Sequence, residues 1–249
     1  MTHLRLGIAL FLLLLVLLII SAPARLLGSL VSSDVLLIQN FSGSLWRGAA
    51  ARCVVKVGHG YLNLGSVKWR LKPMTLLTLS PTIDLESQWG DQEISGIITL
   101  RDVENIDIDI ADLSATVSSQ LLRQFAPLQV EGEFAAVVEH LTIRSGMPYA
   151  GKGQIVWRDA AWLSSVGSIL LGSYAMNFEQ PSGEALSGEI LTIDGPVKAR
   201  GGLELKGRDY AVDVFVEAGP GVDQQVQHAI SLFARPVADG HRIVLNGKL

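Results

Sequence analysis

The sequence predicts a mainly β protein: one N-terminal transmembrane helix, then an antiparallel β-rich exported domain with one or two short helices. Three observations predict it. Leu6 to Ala24 is an unbroken run of 19 uncharged residues. Beyond it, apolar and polar residues alternate with period two, the mark of half-buried strands. Glycine occurs 25 times in 249 residues, above the usual ~7%, and punctuates those runs as turns and bulges do.

The N-terminal run accounts for much of the chain's mean hydropathy of +0.36. Its centre, Phe11 to Ile20, contains only Phe, Leu, Val and Ile. At 1.5 Å per residue a 19-residue helix spans about 28 Å, close to the ~30 Å hydrocarbon core of a bilayer. Residues 1–5 then form a short cytoplasmic segment, 6–24 a signal anchor in contact with the bilayer, and 26–249 the exported domain. Orientation rests on the free amino terminus, His3 and Arg5 upstream of the run. The triplet Ala22-Pro23-Ala24 leaves a second reading open, a signal peptide cleaved after Ala24. The run is long for such a peptide and proline disfavours cleavage, so the anchor is preferred.

Within the exported part, Ile106, Ile108 and Ile110 alternate with Asp107 and Asp109. Val130, Phe134, Ala136 and Val138 share a face through Gly132, opposed in part by Glu131, Glu133 and Glu139. Leu203 and Leu205 alternate with Glu204 and Lys206, and Val212, Val214 and Val216 with Asp213, Phe215 and Glu217. Val67, Trp69 and Leu71, and Ile243 to Leu245, read the same way. Helical spacing occurs at Val117, Leu121, Leu122 and Phe125, which predicts a helix over Ser114 to Phe125 before Pro127. It recurs at Val222, Val226, Ile230 and Phe233, before Pro236. An internal echo pairs Trp46-Arg47 with Trp157-Arg158, each preceded by a glycine and followed by a proline, Pro73 and Pro181. It suggests two similar β modules, about 40–140 and 150–249.

Charge and motif content exclude several functions. With Arg5 and Arg25 set aside, 18 basic and 24 acidic residues leave −6 outside the anchor, against the basic surplus a nucleic-acid binder carries. The single cysteine, Cys53, excludes an internal disulfide and a multi-cysteine zinc site, and its apolar neighbours Val54 and Val55 predict a buried thiol. No G-x-S-x-G or H-E-x-x-H occurs, and the five histidines lack ligand spacing. Gly146 to Gly153 approaches a phosphate-binding loop but ends in Gly where Ser or Thr would hold magnesium, and a strand pattern follows; it reads as a hairpin connection. Asp107 and Asp109 point to one side of a strand, as a carboxylate pair would, but read as a solvated face. No catalytic residue, cofactor or metal is expected. Trp46, Trp69 and Trp157, each beside an arginine, are core anchors or partner-binding positions.

The order of punctuation carries a resemblance. After the anchor come Gly43-x-Leu45-Trp46-x-Gly48-x-Ala50 and Gly65-x-Val67-x-Trp69-x-Leu71-x-Pro73. Later come Pro127-Leu128-x-Val130-x-Gly132-x-Phe134, Gly202-Leu203-x-Leu205 with Asp209-Tyr210, and a closing Gly240-His241-Arg242-Ile243-x-Leu245-x-Gly247-x-Leu249. Over nearly its whole length the chain resembles the general (type II) secretion pathway protein N family. His241 and Arg242 depart from the closing pattern, where an aromatic residue would sit. The resemblance implies a non-catalytic inner-membrane protein of Gram-negative bacteria with a periplasmic domain. Its partners would be other inner-membrane and periplasmic subunits of the secretion machine, in support of assembly or export of folded exoproteins. Leu45, Trp46, Gly48, Trp69, Leu71 and Pro73 are the family-motif residues, structural or partner-binding. A more distant similarity to AsmA-like periplasmic proteins implies an alternative, a lipid-binding or lipid-transfer module.

Overall fold

The protein is seen here as a computed structural model that describes residues 21–26, 28, 36–57, 60–102, 104–122, 129–164, 167–219, 234–237 and 240–248. It is mainly β and antiparallel throughout, as the alternation predicts, and its described residues divide into two compact units, up to Trp89 and from Gly90.

The first unit is a four-stranded meander of β1 (Leu36–Gly43), β2 (Arg47–Val57), β3 (Gly60–Leu71) and β4 (Thr82–Trp89). Each strand pairs with its sequence neighbour, the connection hairpins make most readily. Its core gathers Ala24, Ala50 and Trp69, with Ile38, Phe41 and Ile83 packed against them.

The second unit continues the pattern through β5 (Gln92–Asp102), β6 (Asp107–Ser118), β7 (Val130–Arg144), β8 (Met147–Ser164), β9 (Gly167–Gln180), β10 (Leu186–Asp194), β11 (Val197–Lys206) and β12 (Asp209–Ala218). At its end the order changes: β12 pairs with β14 (Gly240–Lys248), which pairs in turn with the short β13 (Arg235–Val237). Val197, Val214 and Val216 form its buried cluster, with Ile190, Ala199 and Ile243 among the residues packed around it.

Two expectations are corrected. Ser114–Ser118 is not helical: β6 runs to Ser118, and helix occupies only the turn Ser119–Leu122, with 123–128 outside the described residues. The strand wins because it aligns Leu113 with Val138, Ala115 with Ala136 and Val117 with Phe134 across the ladder, cross-strand contacts that an isolated helical stripe cannot match. Ile106 does not extend the alternation of Ile108 and Ile110. It lies in the turn before β6 at φ 55, and its side chain is exposed. The second predicted helix, over 222–233, and residues 6–20 of the proposed anchor lie outside the described residues. Among the described residues no helix is long and apolar enough to cross a membrane.

Candidate functional site

The six motif residues converge at one end of the first unit. β2 and β3 run antiparallel with Gly48 opposite Trp69. A Cβ at position 48 would collide with Trp69 Cζ2 and lie 2.7 Å from the Ser44 carbonyl oxygen, so only glycine leaves room for the indole. Trp69 uses that room. Its Nε1–H donates to the Leu45 carbonyl at 3.1 Å, its ring meets Phe41 edge-on with centroids 6.4 Å apart, and it is 9% exposed. The Leu71 amide donates to the Trp46 carbonyl at 2.8 Å, which extends the ladder one step beyond β2. Pro73 then ends β3 and opens the 3-10 turn Pro73–Leu76, where its fixed φ and missing N–H fit the first position. Trp69, Gly48 and Leu45 thus form one packing unit. Trp46 is half-buried and Pro73 exposed.

The same device recurs in the second unit. Trp157 Nε1–H donates to the Glu131 carbonyl at 3.0 Å, and a Cβ on Gly132 would lie 2.8 Å from that nitrogen. Trp157 thus repeats the indole-to-carbonyl bond beside a glycine that Trp69 makes, although the sequence echo aligned it with Trp46. Phe178 covers Gly153, Tyr210 covers Gly247 and Phe215 covers Gly240 in like manner, aromatic rings filling the gap beside a side-chain-less neighbour. These pairs explain much of the glycine excess, and the paired glycine was the signal that sequence reading left unused.

Registers across the second unit sort its side chains by face. One row runs Ile94, Ala115, Ala136, Ile155, Met176, Ile190, Gly201, Val214 and Ile243 across nine strands. Two residues along, on the same face, lie Leu113, Val138, Gly153, Phe178, Gly188, Leu203, Val212 and Leu245. Neither row contains a charge. The other face is mixed: it carries Val137, Leu191 and Val244 beside charged and polar side chains, among them Arg158, which pairs with Glu133 at 2.8 Å, and Gln154, which donates to Asn177 at 2.7 Å.

Several titratable groups are engaged in structure. Asp107 accepts the Ser145 amide at 2.8 Å in the two-residue turn Ser145–Gly146 that joins β7 to β8; of the stretch Gly146 to Gly153 expected as a hairpin connection only Gly146 lies in that turn, and Met147 to Gly153 belong to β8, where they pair with β7. Partial burial pushes the Asp109 carboxyl up, but the guanidinium groups of Arg101 at 2.7 Å and Arg144 at 3.0 Å outweigh it and hold the carboxyl below its ordinary range. Arg242 grips Asp213 with two bonds and lowers its carboxyl likewise. Cys53 is 4% exposed, and burial raises its thiol, as the apolar neighbours predict. Tyr174 donates to the Val197 carbonyl at 2.9 Å, and burial pushes its phenol up to about 12. Among the described residues no three His, Cys, Asp or Glu side chains are grouped to hold a metal ion.

A family model described as type II secretion system, protein N, matches residues 35–244. No curated protein and no solved structure matches the chain.

Proposed function

The chain belongs to the type II secretion system protein N family, and from that premise we propose that it is a non-catalytic, inner-membrane-anchored component whose periplasmic strands support assembly or export by binding other subunits. It is a component of the secretion machinery of the cell envelope. The contact mode is strand addition. Among the described residues β1 pairs on one side only, and Leu37 on it is 44% exposed, so its outer amides and carbonyls can template a partner's strand. Photo-crosslinkers placed at Leu37 and Gln39 in cells should capture secretion subunits. Adducts to none of them, with the protein at native abundance, refute this mode.

The uncharged rows across nine strands favour a second reading, an acyl-chain-binding face on the second unit. A crosslinker at Met176, within the row, should then capture lipid in cells, and one at Gln154 on the opposite, charge-bearing face should not. Equal or absent lipid adducts at both positions remove this reading.

A further inference from the structure

The connection from β3 to β4 carries Met74, Leu76, Leu77 and Leu79 within six residues. Met74 is 73% exposed, Leu77 78% and Leu79 84%. A cluster of this kind on a loop tip marks a surface that is covered in use. Its backbone is closed on itself: the amides of Thr75, Leu77, Leu79 and Ser80 donate to carbonyls between Lys72 and Leu76. Thr75 Oγ1 donates to the Lys72 carbonyl at 2.7 Å and accepts the Thr82 amide at 2.9 Å. Apolar side chains point outward from a backbone in which the amides of Thr75, Leu77, Leu79 and Ser80 are paired within the loop, which lowers the cost of bringing it to an apolar surface.

Position selects the occupant. The Leu45 amide donates to the Ala22 carbonyl at 2.8 Å and the Ala24 amide to the Gly43 carbonyl at 3.2 Å, so the end of the Leu6–Ala24 run is tied to the β1–β2 turn. The Trp46 carbonyl, beside that turn, holds the Leu71 amide at the root of the loop. Two strand spacings, about 10 Å, separate the two features. The same end presents Arg47, Arg70 and Lys72; Asp84 is paired with Lys72 at 3.0 Å. Half-buried Trp46 beside these cations matches the side chains that settle at a membrane interface. We propose that the Met74–Leu79 loop dips into the exported-side leaflet next to the anchor, a second membrane contact that fixes the tilt of the first unit on an anionic lipid surface. The proposal rests on the anchored reading above.

The test uses the full chain, with Cys53→Ala, reconstituted in vesicles of phosphatidylethanolamine and phosphatidylglycerol. An environment-sensitive fluorophore is attached through Leu79→Cys, Leu77→Cys or Tyr61→Cys. Tyr61 is 62% exposed at the opposite end of β3, ten residues from Leu71 and thus about 33 Å away. The expected result is flotation of all three with the vesicles, and quenching by spin-labelled lipid several-fold stronger at positions 77 and 79 than at 61. Flotation with equal quenching at all positions, or with 77 and 79 open to aqueous iodide, overturns the loop contact and leaves the anchor standing. Such a result would leave a protein as the loop's cover. Failure to float overturns the anchor and the loop contact together.

Discussion

Replacing Trp69 with alanine removes the largest side chain in the first unit's core. A buried Trp→Ala change costs about 3–5 kcal/mol, and at 9% exposure Trp69 belongs within that range. The stranded Leu45 carbonyl and the lost Phe41 edge contact are included in it, each worth about 1 kcal/mol. Gly48→Ala acts on the same packing unit from the other side. Its methyl must displace the indole and the Ser44 carbonyl, at about 1–3 kcal/mol for an overpacked site. In the double variant the ring is gone and the collision with it vanishes, while the one with the Ser44 oxygen remains. The pair should therefore be less destabilised than the sum of the single changes by about 1 kcal/mol or more, since residues in contact couple on that scale. Urea unfolding of the purified full chain in mild detergent, followed by far-UV circular dichroism, measures all three. Strict additivity, or a Trp69→Ala chain within about 1 kcal/mol of wild type, would refute the claim that glycine and tryptophan form one structural element.

Asp109→Asn should cost about 1 kcal/mol at pH 7, the scale of a partly exposed ion pair. Because the folded carboxyl is held below its unfolded value, its contribution is present above the unfolded pKa and lost as pH falls through the folded one, so the variant and wild type converge in acid; urea midpoints across that range report it. Cys53 should resist thiol reagents in the folded chain at pH 8 and react promptly in urea, and rapid native labelling would place the thiol at the surface. Tyr174→Phe should cost about 1 kcal/mol through the loss of the hydroxyl's bond to the Val197 and Leu171 carbonyls, measured by the same unfolding assay.

Much of the strand content was legible along the chain. Leu203 to Lys206 and Val212 to Glu217 alternate because one side of each strand meets neighbours and the other meets water, a pattern that one strand records by itself. Ser114 to Ser118, with Val117, misled for the converse reason, while Leu121 and Leu122 do lie in a helical turn. Helical spacing is a local property, while β6 is held by its pairing with Phe134, Ala136 and Val138 of another strand. The candidate site was legible as a set of residue types, Leu45, Trp46, Gly48, Trp69, Leu71 and Pro73, but their roles were not. That Trp69 and Trp157 each donate to a carbonyl beside a glycine, Gly48 and Gly132, while Trp46 sits at the sheet's end, depends on which glycine lies near which ring.

Local chemistry, by itself, determined the uncharged N-terminal run, the predominance of strands, the buried thiol and membership of a secretion family recognised from ordered glycine, tryptophan and proline. Tertiary structure decided what depends on register and exposure. Alignment of nine strands turns scattered alternating residues into uncharged rows, because pairing places residues distant in sequence side by side. Closure of β3 onto β4 turns Met74 to Leu79, an apolar run that could equally have been core, outward at the end of the sheet to which Ala22 and Ala24 are tied. Apolarity is a property of the chain, whereas exposure follows from what the rest of the fold leaves uncovered.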